Sequence, residues 1–165
     1  MRKGIQLLCV FIILTICGCK NTQSIENSET ADNTEVTVQE ENNMQEKNLK
    51  MMIGDTEVQV EWENNKSVAA LKELVKDKPL SIQMSMYGGF EQVGYIGTEL
   101  PRNDAQTVTE SGDIVLYSGD QIVVFYGSNS WAYTRLGHIT DKDAGQMRDL
   151  LSNGDVTITI RLGDA

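Results

Sequence analysis

The chain has 165 residues and a formal charge of −10, from 14 Lys+Arg against 24 Asp+Glu, with 40% hydrophobic residues and only 2 prolines. That length suits one domain plus extensions, and the composition excludes a collagen-like chain or one disordered throughout. The acidic balance argues against nucleic acid as a main partner, because binding phosphates needs clustered Lys and Arg.

Arg2 and Lys3 form a basic head, and Leu7 to Leu14 follow as an unbroken apolar run. The uncharged stretch from Gly4 to Gly18 is fifteen residues. A spanning helix needs about 20 residues, so residues 1–18 read as a secretory signal rather than a stable membrane span. The run ends in Ile16-Cys17-Gly18-Cys19, which resembles the lipobox of bacterial lipoproteins. The resemblance implies cleavage after Gly18, acylation of the Cys19 sulfur, and a chain held by lipid on the extracytoplasmic face of a cell membrane. Cys17 departs from the usual residue at its position, and a plain secretory signal is the alternative. All 3 cysteines lie in this segment. A chain lipidated at Cys19 then has no free thiol, no disulfide, no cysteine nucleophile and no cysteine-bound zinc.

Residues 19–48 change character. Asn, Glu, Thr, Ser and Gln dominate from Lys20 to Asn48, without one aromatic residue. Such a segment cannot bury enough apolar surface to offset its ordering entropy, so it reads as a solvated acidic tether. Its flexible reach would be roughly 30 Å, enough to clear lipid headgroups.

Residues 49–165 read as the folded domain. Val58, Val60 and Trp62 alternate with Glu57, Gln59 and Glu61, the pattern of a half-buried strand. Gly54-Asp55 suits a hairpin turn back to Lys50–Ile53. Ser67 is placed to cap a helix carrying Val68, Leu71, Leu74 and Val75. Ile82, Met84 and Met86 alternate in a further strand, broken at Tyr87-Gly88-Gly89-Phe90 and followed by a long loop to Leu100-Pro101. Ile114–Tyr117 and Ile122–Tyr126 are continuous apolar runs, so both their faces should be covered, and Ser118–Gln121 joins them as a hairpin. Trp131–Leu136 is a strand; Thr140 or Asp141 caps a short helix with Ala144, Met147, Leu150 and Leu151; Asn153-Gly154 ends it. Val156, Ile158, Ile160 and Leu162 form a last alternating strand. Seven or so strands and two short helices imply a mainly β, closed or nearly closed antiparallel barrel, with the helices plugging its ends or packed outside.

Tyr87-Gly88-Gly89-Phe90, Gly112-Asp113-Ile114 and Tyr133-Thr134-Arg135-Leu136-Gly137 sit in an order of elements that resembles the bacterial cyclophilin-like fold family, sometimes fused to flavodoxin-like domains. The resemblance covers Lys50 to Leu162 and implies a cyclophilin-like barrel. The family has no settled activity, so fold is implied and function is not. True prolyl isomerases of the cyclophilin class carry a strand with Phe, His and Arg. The nearest strand here, Ile82–Met86, has neither His nor Arg, so no catalytic residue is carried over.

The remaining candidates are an aromatic set. Tyr87, Phe90 and Tyr95 lie beside glycines in the loop region, where binding residues tend to lie. Alternation puts Trp131, Tyr133 and Arg135 on one strand face. Together these residues suit a ligand groove for a small molecule or peptide; equally they could close the barrel mouth as core. An isomerase would need an apolar proline pocket with a cation at the prolyl nitrogen, and Arg135 is the candidate cation. His138, the only histidine, has no partner evident in sequence and reads as a surface or capping residue. One histidine and no available thiol leave too few ligands for a transition metal, Asp141-Lys142-Asp143 lacks a calcium-loop spacing, and no glycine pattern supports a nucleotide cofactor. The expectation is therefore a binding module with neither metal nor cofactor, and a prolyl isomerase of exported proteins is the alternative.

Overall fold

The computed structural model describes residues 48–163; the signal, the lipobox with Cys19 and almost all of the expected tether lie outside that range. The elements in chain order are β1 (Leu49–Ile53), β2 (Thr56–Val58), β3 (Val60–Trp62), α1 (Lys66–Leu74), β4 (Leu80–Tyr87), β5 (Glu91–Tyr95), β6 (Ala105–Val108), β7 (Asp113–Tyr117), β8 (Gln121–Phe125), β9 (Ser130–Ile139), α2 (Ala144–Leu151) and β10 (Val156–Leu162). Among them no helix is long and apolar enough to cross a membrane.

The strands pair in the order β2-β1-β10-β4-β5-β8-β7-β9-β3, all antiparallel, with β6 added on β9. The two ends of that order, β2 and β3, are consecutive pieces of one segment. The sheet therefore curls into a nearly closed barrel whose seam is the break at Gln59. Three contacts hold the seam. The Gln59 N–H donates to Asp141 Oδ1 at 2.9 Å, the Thr140 N–H donates to Gln59 O at 2.9 Å, and Trp62 Nε1 donates to Leu49 O at 3.1 Å.

Alternation decides which residues fill the interior. Met51, Ile82, Met84, Ile114, Leu116, Ile122, Val124, Leu136, Ile158 and Ile160 are buried in one cluster, and α1 and α2 add Val68, Leu71, Met147 and Leu151 to it. The helices thus complete the interior, as amphipathic plugs do. The two apolar runs are covered on both faces, as expected. Ile122 and Val124 face inward, and Val123 and Phe125 belong to a second cluster on the outer wall with Val115 and Tyr133.

Several local expectations are corrected. The α1 cap is Asn65, whose side chain accepts from the Val68 N–H at 3.0 Å. Ser67 lies inside the helix and its hydroxyl donates to Pro101 O at 2.5 Å. The α2 cap is Asp143, in a capping box with Gln146, which leaves Asp141 free for the seam. The stretch read as a long loop from Phe90 to Pro101 contains the strand β5, and β6 lies just beyond it, in residues assigned to no element from sequence. β5 escapes the periodicity test because its inward positions are Gln92 and Gly94. Gln92 is fully buried and donates to Leu151 O and Gly154 O, each at 2.7 Å, tying the strand to the end of α2. At Gly94 a Cβ would lie 2.4 Å from Met84 Sδ and 2.5 Å from Ile82 Cγ2, so only glycine lets the interior close there.

Candidate functional site

The outer face of β4, β5, β8, β7 and β9 is set by register. Tyr87 stands opposite Glu91, and Glu91 opposite Phe125. The next row places Val93 opposite Val123 and Val123 opposite Val115, and the following one places Tyr95 opposite Gln121 and Gln121 opposite Tyr117. A bulge between Ile114 and Val115 sets Val115 against Arg135 and Leu116 against Thr134 on β9. Strand alternation then turns Trp131, Tyr133 and Arg135 outward together, as the sequence implies.

These rows form a depression of about 380 Å³ lined by Tyr87, Glu91, Val93, Tyr117, Gln121, Val123, Asn129, Trp131 and Tyr133. Its volume is in the range of small-ligand sites. Val93 and Val123 form an apolar base, and Tyr133 is held firmly at the side. Its ring meets Tyr117 edge-on at 6.0 Å and Phe125 edge-on at 5.8 Å, and its hydroxyl accepts from Asn129 Nδ2 at 3.0 Å. Trp131 and Tyr87 are 57% and 67% exposed, so their rings have surface left to cover a bound group. The expected choice between a plugged barrel mouth and a groove resolves differently. The aromatic residues stand on the outer wall, over a barrel that is filled by aliphatic side chains.

Glu91 is the unusual member. Its residue is only 5% exposed, its Oε2 has no hydrogen-bond partner, and burial pushes its carboxyl from 4.5 up to about 7. Burial likewise raises the Tyr133 hydroxyl, with the Glu91 charge adding to the effect. No lysine, arginine or histidine is among the lining residues. Six lining residues were not singled out from the sequence: Glu91, Val93, Tyr117, Gln121, Val123 and Asn129. The signal available was the apolar hairpin of β7 and β8, whose alternation already turns Tyr117 and Val123 to the same face. Nothing local marks Glu91, because its environment is made by Phe125 and Tyr133, which lie far along the chain.

The other expected residues are placed as follows. Phe90 ends the β4–β5 turn, where Gly88 and Gly89 have φ of +62° and +76°. The Phe90 carbonyl accepts from the Tyr126 and Gly127 N–H groups at 3.0 Å each, and the ring packs against the second cluster beneath the depression. Tyr95 is exposed and outside the lining. Arg135 borders a neighbouring polar depression with Asn65, Ser67, Arg102 and Asn103, sharing only Tyr133 with the first.

Arg135 is also committed elsewhere. Its Nη2 donates to Asp113 Oδ1 at 2.7 Å, and His138 Nδ1 lies 2.9 Å from the same oxygen. The Glu110 N–H donates to Asp113 Oδ2 at 3.0 Å. His138 therefore has a carboxylate partner that sequence did not reveal. Glu110, Asp113 and His138 bring ligand atoms within 4.8 Å of one another. The Arg135 guanidinium already supplies the positive charge that buried Asp113 requires, which works against a cation at the same oxygen.

A family model described as the Cyclophilin-like family matches residues 51–161. A solved structure of McbB in complex with tryptophan superposes with a TM-score of 0.52 at 14% identity, over 72% of this chain and 46% of that one. The chain thus spans about half the length of that protein, and at this identity the likeness is one of fold. No curated protein matches the chain.

Proposed function

The chain belongs to the cyclophilin-like family, and on that basis we propose that it is a lipid-anchored extracytoplasmic binding module whose outer-wall depression takes a small molecule or a peptide side chain. The observation that carries the reading is the depression itself. Apolar Val93 and Val123 underlie it, a fixed Tyr133 flanks it, and Tyr87 and Trp131 leave ring faces uncovered beside it. Large rings left in water beside an apolar base lower their free energy when a ligand covers them. The anchoring part rests on Ile16-Cys17-Gly18-Cys19 and the basic, apolar segment before it. A barrel that buries its own aliphatic core and needs no disulfide suits that location.

The geometry favours binding over the isomerase alternative. Arg135, the cation an isomerase would use, is held by Asp113 and stands outside the aromatic depression.

Thermal shift of the full-length chain against aromatic amino acids, amines, acids and proline peptides tests the reading. Aromatic amino acids head the panel, since the similarly folded McbB was solved with tryptophan. At least one compound should raise Tm in the wild type and lose its effect in Trp131→Ala. A panel without a stabiliser, or a stabiliser indifferent to Trp131→Ala, removes the proposal. Metabolic labelling with palmitate tests the anchor: the wild type should carry label and Cys19→Ala should not, and an unlabelled wild type ends that part.

A further inference from the structure

We propose that the outer-wall depression selects organic ammonium ions on an apolar body, with Glu91 as the counter-ion and the surrounding rings as the cage. This inference rests on the binding reading above and adds the charge of the ligand.

The argument begins with what a buried carboxyl lacks. Glu91 Oε2 is closed off from solvent and has no hydrogen-bond partner among the described residues, while the residue, 5% exposed, borders the depression with the rest of its carboxyl. A buried acceptor without a donor is costly unless a partner arrives from outside. Tyr87 on β4 and Phe125 on β8 stand opposite Glu91, and Tyr133 on β9 feels its charge; on β7 the step beyond the Ile114–Val124 pair is Asp113, whose own charge is held by Arg135. The lining adds only neutral Tyr117, Gln121, Asn129, Val93, Val123 and Trp131. Glu91 is therefore the single formally chargeable carboxyl there, and no internal cation neutralises it.

An ammonium satisfies both parts of that surface. Its N–H groups donate to the carboxylate in a charge-assisted bond, and its positive charge is attracted by ring faces. An anionic ligand would meet Glu91 as a like charge, and a neutral one would gain only the apolar contact. The apolar body is set by Val93 and Val123 at the base. Burial raises the Glu91 carboxyl to about 7, so near neutral pH a large share of free protein carries the proton. Binding then converts the carboxylic acid and the free ammonium into a carboxylate–ammonium pair plus one released proton, so charge and atoms balance.

Three probes with one phenyl body separate the possibilities: 2-phenylethylamine as cation, 2-phenylethanol as neutral analogue and 3-phenylpropanoate as anion. Calorimetric titration of the full-length chain at pH 6 should give the amine at least about tenfold tighter binding than the other two, a factor ordinary for a desolvated charge pair. Titration in two buffers of different ionisation enthalpy should show proton release with the amine alone. Glu91→Gln should abolish both the preference and the proton release. Glu91→Asp, which keeps the charge, should retain a preference for the amine. Equal binding of the three probes, or preference for the acid, overturns the ammonium inference while the binding reading stands. Binding of the amine with no change in Glu91→Gln overturns it too. Failure of all three probes, with other aromatic compounds still stabilising the chain through Trp131, overturns this inference alone; failure of every ligand overturns both.

Discussion

The two faces of the β5–β8–β7–β9 wall make opposite use of the same strands. Ile114, Leu116, Ile122 and Val124 face inward and are fully buried among aliphatic neighbours. Val115, Val123, Phe125 and Tyr133 face outward, and there the packing stops short, leaving Tyr87 and Trp131 half in water and a buried carboxyl without a donor. The inner face is closed by aliphatic packing, although Gln92 Oε1, on an inward position of β5, has no hydrogen-bond partner. The outer face keeps features that reduce stability and that a ligand would relieve. Such local conflicts concentrate at functional sites, because packing alone would remove them.

The contrast can be broken most strongly from the inside. Leu116→Ala empties a fully buried position between the strands and the helices, and should cost about 2–5 kcal/mol in urea denaturation. A cost below about 1 kcal/mol would mean that the interior is not packed as described.

The outer face should respond to pH instead. The native Glu91 carboxyl is raised from 4.5 to about 7, so between those values the folded chain binds more protons there than the unfolded chain. Its favourable share of stability is complete below about pH 4.5 and is lost as pH rises through about 7. Glu91→Gln removes that loss. The variant should be more stable than wild type by about 3 kcal/mol at pH 8, with the difference vanishing near pH 4. A difference that is the same at both pH values would place the cause in shape rather than charge.

Trp131→Ala should change stability by no more than about 0.5 kcal/mol, since the ring is mostly in water, and yet should remove ligand-induced stabilisation. A large loss of stability without ligand would make Trp131 part of the packing and weaken the case for a site.

Much of the barrel is legible in the order of the residues. Strict alternation in Val156–Leu162 and in Ile82–Met84 needs only the strand's period of two, and the doubly apolar runs of β7 and β8 already imply two covered faces. The cap positions slipped to Asn65 and Asp143 because Ser67 and Asp141 are equally able acceptors, and which one caps depends on where Pro101 and Gln59 lie. β5 was hidden because its inward side is Gln92 and Gly94, chosen by the end of α2 and by Met84 rather than by hydrophobicity. The site was half legible. Aromatic type and alternation pointed to Tyr87, Trp131 and Tyr133. That Glu91 joins them follows from strand pairing between distant parts of the chain. A carboxyl's solvation is a property of what surrounds it, and here that is Phe125 and Tyr133, brought over it by strand pairing across the barrel wall.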